Sequence, residues 1–370
     1  MAGARGRSTC KTSPVDAPLD AADLQRFLLR EESEDRFSGV VVMERGGETT
    51  FAGAYGHAHL GLRVRNEIDT RFNVASIAKM ITAVAVLQLV EQQALSLDAT
   101  VEQLLPDVAV GMADRITVHH LLAHQSGLGD YWNDRCRQRR STLRTTADYL
   151  DLIPGEQPVF EPGTSTAYSN SGYLLLGAII ERVSGEDYYD HVRENVCRRA
   201  GMLRAEHLQL DSTEDFAHGY THIEWEGEDH PDRLTDNIFQ YPVRGSAATG
   251  LYGSGPELVR FLRRLRSGDL LAPDLVSLML EEPRSHGYGH GTQWIPYSRG
   301  AAVGHGGRAF GAATSLFLLP EVDCIVCILS NYDRPADKRV FAEIDRLLQD
   351  PSRSGGQSGQ NAECRGQPVV

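Results

Sequence analysis

The stretch Val74–Val90 is apolar on nearly every face of a helix, and a single lysine, Lys79, is set inside it. A helix with no polar side cannot rest on a protein surface, so the chain must wrap other elements around it on all sides. Lys79 and Gln88 break the run before it reaches the roughly 18 apolar residues that a membrane span needs. The expectation is therefore a core helix of a soluble globular protein. With 370 residues the chain is long enough to enclose one. Lys79 also stands out by type: Lys11, Lys79 and Lys338 are the only lysines among 37 cationic residues.

Against those 37 cations stand 50 acids, for a net charge of −13. Such a chain repels phosphate backbones and carries no basic stripe with interleaved aromatics, which argues against a nucleic-acid partner. The six cysteines are scattered and do not form a small secreted disulfide framework. Cys324 and Cys327 spell C-x-x-C, but they lie in a β-branched run where residues three apart face opposite ways, so both read as buried structural thiols. No apolar leader is visible among Arg5, Arg7 and Lys11, and the expected location is the cytoplasm, with export following if the true start differs. Nothing in the sequence sets an oligomeric state.

Residues 1–19 and 351–370 read as loose tails, and 20–350 as one domain. Leu19–Glu32 has helical spacing. Gly39–Glu44 and Thr49–Tyr55 read as strands joined through Gly46-Gly47, a hairpin signal. Ala301–Val303, Ala312–Leu319 and Cys324–Leu329 read as further strands, and Pro335–Leu348 as an amphipathic helix. Between these ends, Ser76–Gln93, Val118–His124, Thr146–Leu152, Ser171–Val183 and Asp187–Arg199 are helical in pattern. The expected class is α+β: an antiparallel sheet flanked by helices and built from both termini, an inserted mostly helical lobe, and a cleft at their junction.

Three segments carry residues suited to chemistry. In Ser76-Ile77-Ala78-Lys79, positions i and i+3 share a helix face, which brings the amine beside the hydroxyl. Burial and the positive end of the helix both disfavour an ammonium, and a neutral amine can take a serine proton. In Tyr168-Ser169-Asn170, just ahead of an apolar helix, a phenol can relay a proton and an amide can hold both a donor and an acceptor. Plain turn chemistry, with Asn170 as the cap, is the alternative. In Gly304-His305-Gly306-Gly307-Arg308, the glycines permit close backbone approach, and an edge strand offers N–H groups to a carbonyl. The alternative is a glycine-rich turn with an exposed histidine.

Taken together, the three segments resemble the motifs of the serine β-lactamase and penicillin-binding-protein superfamily, in its class C β-lactamase, D-aminopeptidase and esterase branch. They are S-x-x-K at Ser76 to Lys79, Y-x-N at Tyr168 to Asn170, and His305-Gly306-Gly307 where β-lactamases usually carry K-T-G. His120–Leu128 resembles the family's H-L-L-x-H-T-S-G-L, and Gly172–Gly185 its G-Y-x-L-L-G-x-I-I-E-x-x-S-G. The resemblance implies a β-lactamase/transpeptidase-like fold and a metal-independent serine hydrolase without cofactor. Its partner would be a small-molecule or short-peptide acyl substrate. Ser76 would be acylated and Lys79 would accept its proton. Tyr168 would share the base role, protonate the leaving group and activate the deacylating water. Asn170 would hold the substrate amide or the Lys79 amine. The N–H groups of Ser76 and Arg308 would form the oxyanion hole, with His305, Gly306 and Gly307 lining the acyl strand. Esters, amides and D-amino-acid peptides are the first expected substrates. A β-lactamase or D,D-carboxypeptidase is the runner-up, because a histidine gives a weaker, pH-dependent charge than the K-T-G lysine, with Arg308 as a candidate to supply the missing charge. A non-turnover β-lactam sensor is a further alternative, against which Tyr168 argues.

His119-His120 and His124 have H-x-x-x-H spacing but no acid between them, which argues against a zinc site. No G-x-S-x-G is present. The acidic run Ala205–Gln240 reads as a solvated loop or as a lid over the cleft, and Leu128–Thr145 and Leu210–Arg244 as the loops that shape it.

Overall fold

The computed structural model describes residues 20–153, 155–212, 215–223, 233–281 and 287–349. The expected tails, with Cys10 and Cys364, lie outside them. Helix α1 (Ala21–Ser33) is capped by the Asp20 side chain, which accepts from the backbone N–H groups of Ala22 and Asp23. Two strands follow, β1 (Gly39–Arg45) and β2 (Glu48–Tyr55), turning through Gly46 and Gly47, both at positive φ. The C-terminal half adds β3 (Gln293–Tyr297), β4 (Gly300–Ala309), β5 (Ala312–Leu319) and β6 (Cys324–Ser330). They form one antiparallel sheet in the order β2-β1-β6-β5-β4-β3, so the two ends of the chain meet at the β1–β6 pair.

The sheet is two-sided because its strands alternate. Val40, Val42, Leu316, Leu318 and Cys327 enter the larger core, while Val41, Met43, Phe317, Leu319 and Cys324 enter the smaller one. The two cysteines therefore face opposite sides of the sheet, and both are buried free thiols. Helix α1 and the terminal helix α5 (Ala336–Gln349) cover the smaller core. The larger core holds α2 (Ala78–Glu91), α3 (Asn170–Ser184) and α4 (Gly255–Arg266).

Two departures from the expected pattern bear on the site. Strand β4 runs six residues past Val303, through the glycines that resembled a turn. Those glycines lower strand propensity in the sequence, yet a Cβ on Gly304 would stand 2.0 Å from the Leu316 carbonyl oxygen, so close strand approach requires them. Strand β3 was not expected at all. It contains Pro296, which an edge position tolerates. Among the described residues no helix is long and apolar enough to cross a membrane.

Candidate active site

Every residue from Arg71 to Leu89 is buried except Ser76, which is half-exposed. The backbone explains why. Ala75 sits at φ +48, a left-handed conformation that costs a non-glycine residue roughly 1 kcal/mol. The surrounding contacts hold it there. Asn73 Oδ1 accepts from the Ala75 N–H at 2.9 Å, the Val74 N–H donates to Leu251, and Thr314 Oγ1 donates to the Val74 carbonyl at 3.0 Å. The turn lifts Ser76 out of the packed run, and a 3-10 turn, Ala75–Ile77, feeds it into α2.

Lys79 is fully buried on the second residue of α2. Its Nζ lies 2.7 Å from Asn170 Oδ1, 2.7 Å from the Ala248 carbonyl oxygen and 3.2 Å from Ser76 Oγ. Burial lowers its pKa to about 7, against a smaller upward pull from the Asp130 carboxylate. A neutral amine has two N–H groups and one lone pair. The two short carbonyl contacts take both N–H groups, which leaves the lone pair facing Ser76 Oγ. In the ammonium form the third contact becomes a donation to the serine.

From the other side the Tyr168 hydroxyl donates to Ser76 Oγ at 2.8 Å. Burial pushes the phenol well above its ordinary value, so at neutral pH it holds its proton. Its ring lies against His124, with centroids 4.4 Å apart and planes tilted by 31°, and His124 Nδ1 accepts from the Ser169 N–H. His124 is buried, and burial holds it neutral, as an acceptor must be. The second histidine of the H-L-L-x-H segment is thus a platform beneath the tyrosine. Asn170 opens α3, and Ser169, not Asn170, caps the helix through the Gly172 N–H. Of the two partners expected for Asn170, its oxygen holds the Lys79 amine. Its Nδ2 donates to Asp130 Oδ2 at 2.7 Å, which fixes the amide the right way round.

The β4 wall differs more from expectation. His305 is buried, not exposed on a turn, and burial with the nearby Lys79 lowers its pKa to about 3. It therefore brings no positive charge near neutral pH, rather than a weak one. β4 is flanked by β3 and β5, and pairing with β3 ends at Gly304, so only its last residues are open on that side. The Gly306 N–H is taken by Gln293 Oε1 at 3.1 Å, and its carbonyl lies 2.6 Å from His305 Nδ1. Gly307 serves by its size: a Cβ there would stand 2.8 Å from both the Val74 oxygen and the Ala75 Cβ.

These parts meet at a cleft of about 340 Å³ lined by Ser76, Asn170, Asp130, Trp132, Ile223, Thr249, Arg308, Phe310, Asp333 and Arg334, among others. His305, Gly306 and Gly307 are not among its lining residues. Asp130 and Trp132 fall within the expected loop Leu128–Thr145 without standing out individually, and Arg334 lies outside both expected loops. Asp130 and Trp132 directly follow the Ser126-Gly127-Leu128 segment, a position that could have marked them, whereas Arg334 has no local mark. The loops expected to shape the cleft each contribute, through Trp132 and Ile223. The acidic run is described only in part, residues 213–214 and 224–232 lying outside. Within it, Asp211 pairs with Arg144, Asp215 with Arg71 and Arg204, and Asp236 with His218. His119 pairs with His290, and among the described residues no group of three or more His, Cys, Asp or Glu side chains is placed to hold a metal.

A half-exposed serine bonded to a buried lysine and a tyrosine, in a cleft between an antiparallel sheet and a helical lobe, defines the β-lactamase/transpeptidase-like class. The chain belongs to the Beta-lactamase family, whose model matches residues 23–350. It is 29% identical to Esterase EstB of Burkholderia gladioli over 71% of this chain and 74% of that protein. It is 27% identical to Penicillin-binding protein 4 of Amycolatopsis lactamdurans over 75% and 76% of the two chains. The crystal structure of a penicillin-binding protein from Bacillus halodurans superposes with TM-score 0.76 at 29% identity, covering 86% of this chain and 99% of that one.

Proposed function

We propose that this chain is a serine hydrolase that works through an acyl-enzyme on Ser76 and cleaves esters, amides or D-amino-acid peptides. The observation that carries the reading is the placement of Lys79 Nζ, 2.7 Å from two carbonyl oxygens and 3.2 Å from Ser76 Oγ; a neutral amine held by those two acceptors turns its lone pair to the hydroxyl. Ser76 Oγ attacks the substrate carbonyl carbon as its proton passes to Lys79 Nζ. The N–H groups of Ser76 and Arg308 are the candidates to receive the developing oxyanion. On collapse the leaving group departs with the Tyr168 proton, and the proton that Lys79 took from Ser76 neutralises the phenolate, so both groups are reset. Water then enters by the same route in reverse. A resting phenol that keeps its proton makes Lys79 the first base and Tyr168 the donor, a sharper division than a shared base role.

A neutral, buried His305 brings no charge to dock a carboxylate, which favours esters and amides over tight penicillin binding. Arg308, exposed on β4 at the same cleft, is the substitute charge that favours the runner-up. The β-lactamase, D,D-carboxypeptidase and sensor readings separate in one experiment. Intact-protein mass after exposure to a p-nitrophenyl ester and to a β-lactam, with turnover followed alongside, is expected to show ester turnover that Ser76→Ala abolishes. A lasting β-lactam adduct without turnover of either compound would favour the sensor instead. Full activity in Ser76→Ala would remove the nucleophile assignment.

A further inference from the structure

Strand β4 comes to the cleft with part of one edge unpaired. Its pairing with β3 runs from Gly300 opposite Tyr297 to Gly304 opposite Gln293 and stops there, while pairing with β5 continues to Ala309. An unpaired edge is where an extended chain adds itself, through main-chain hydrogen bonds to every second residue. Past Gly304, the residues whose N–H and C=O face that edge are Gly306 and Arg308.

Of these two rungs, Gly306 is closed. Its N–H donates at 3.1 Å to Oε1 of Gln293, the last paired residue of β3. Gln293 is steadied in turn, because its Nε2 donates to the Tyr288 hydroxyl at 3.4 Å. The Gly306 carbonyl lies 2.6 Å from His305 Nδ1, and since a carbonyl only accepts, that nitrogen carries the ring proton. Arg334 covers the glycine, with Nη2 3.2 Å from where a Gly306 Cβ would stand. Gly306 is accordingly buried and off the cleft lining, whereas Arg308 is exposed and on it.

The closure is made by a side chain where a backbone could have made it. One more residue of β3 pairing would have sealed the edge, but the chain turns away. Thr292 Oγ1 donates to the Met279 carbonyl at 2.6 Å, and Gly291, at φ +78, lies so close to α2 that a Cβ there would stand 2.4 Å from the Ala83 Cβ. Gln293 is left to fold over the next rung. That rung adjoins the chemistry: two strand residues span about 7 Å, so a substrate whose carbonyl rests on the Arg308 N–H directs one arm of its chain at Gly306.

We propose that Gln293 is a specificity-determining residue that occupies the β4 rung beside the oxyanion donor and so confines the enzyme to substrates that are short on that side of the scissile bond. This rests on the serine-hydrolase reading above and names a substrate class within it. The class is short esters and amides, or the terminal residue of a peptide, and not bonds inside an extended chain.

The test compares phenyl acetate with two analogues carrying a trialanine amide, one on the acyl group and one on the phenol ring, followed by phenol release. For at least one placement the ratio of kcat/KM, extended over short, is expected to fall below one. Gln293→Ala should raise that ratio roughly fivefold, the worth of one recovered main-chain hydrogen bond. Gln293→Glu, whose carboxylate still accepts from the Gly306 N–H, should keep the wild-type ratio. A glutamine that only satisfies a buried N–H would change stability and leave the ratio alone. If Gln293→Ala fails to fold, Gln293→Ser gives the same readout on this partly exposed edge. Ratios that the substitution leaves unchanged for both placements, in an enzyme that Ser76→Ala silences, overturn the plug alone. Activity surviving in Ser76→Ala, or no turnover of any of the three esters by the wild type, overturns the reading beneath it.

Discussion

On one wall of the cleft, Ser76 and Lys79 stand three residues apart and meet across a single helical turn. On the other, Arg308 comes from β4 and Arg334 from the approach to α5, with Gly307 pressed between them and the turn that carries Ser76. The first wall is local in sequence, and burial sets its chemistry by lowering the Lys79 pKa to about 7. The second is assembled from distant segments, and burial works against it by silencing His305. One physical effect, desolvation of a cation, thus makes a base on one side and removes a charge on the other.

If the first wall carries the chemistry, its loss should be the most severe. Ser76→Ala is expected to lower p-nitrophenyl ester turnover on the order of 10³-fold or more, with the circular dichroism spectrum unchanged. Lys79→Met should cost roughly 10²- to 10⁴-fold in kcat, the range for removing a positioned base, measured by initial rates at saturating ester. A loss of similar size from a β4 substitution that leaves the fold intact would break the contrast between the walls.

The seam between them is the next target. Gly307→Ala puts a methyl 2.2 Å from Thr314 Oγ1 and against Val74 and Ala75. It should cost roughly 1–3 kcal/mol in urea unfolding and lower kcat as well, because the pressure falls on the turn that aims Ser76. Unchanged stability and rate would mean the two walls yield independently.

The finest effect is on pH. Lys79 works as a base only when neutral, so kcat/KM should climb as pH rises through about 7 and level off above it. The Asp130 carboxylate favours the ammonium, so Asp130→Asn should move that limb to lower pH. His305, with its pKa near 3, should add no second limb between pH 5 and 7. A rate profile on a neutral ester reads all three; a limb that Asp130→Asn moves upward would reverse the assigned sign.

Much of this molecule is legible before any coordinates. The hairpin at Gly46-Gly47, the two-sided strands Ala312–Leu319 and Cys324–Leu329 and the core helix after Ser76 all announce themselves by period and turn residue. Local propensity and burial agree at each of them. The last six residues of β4 do not, because their glycines answer to neighbours such as Leu316 and Val74 that are remote along the chain. Tyr168 and Asn170 stand out by type and position, yet that Asn170 turns its oxygen to Lys79 depends on Asp130, forty residues earlier.

By itself the sequence set a hydroxyl and an amine three residues apart at the start of a buried helix, a spacing that brings them to one face. Which partners consume the amine's protons, whether His305 carries charge and which arginine reaches the cleft were decided only by the tertiary structure. Hydrogen-bond geometry and desolvation depend on what is packed alongside, and packing joins residues that the chain itself keeps far apart.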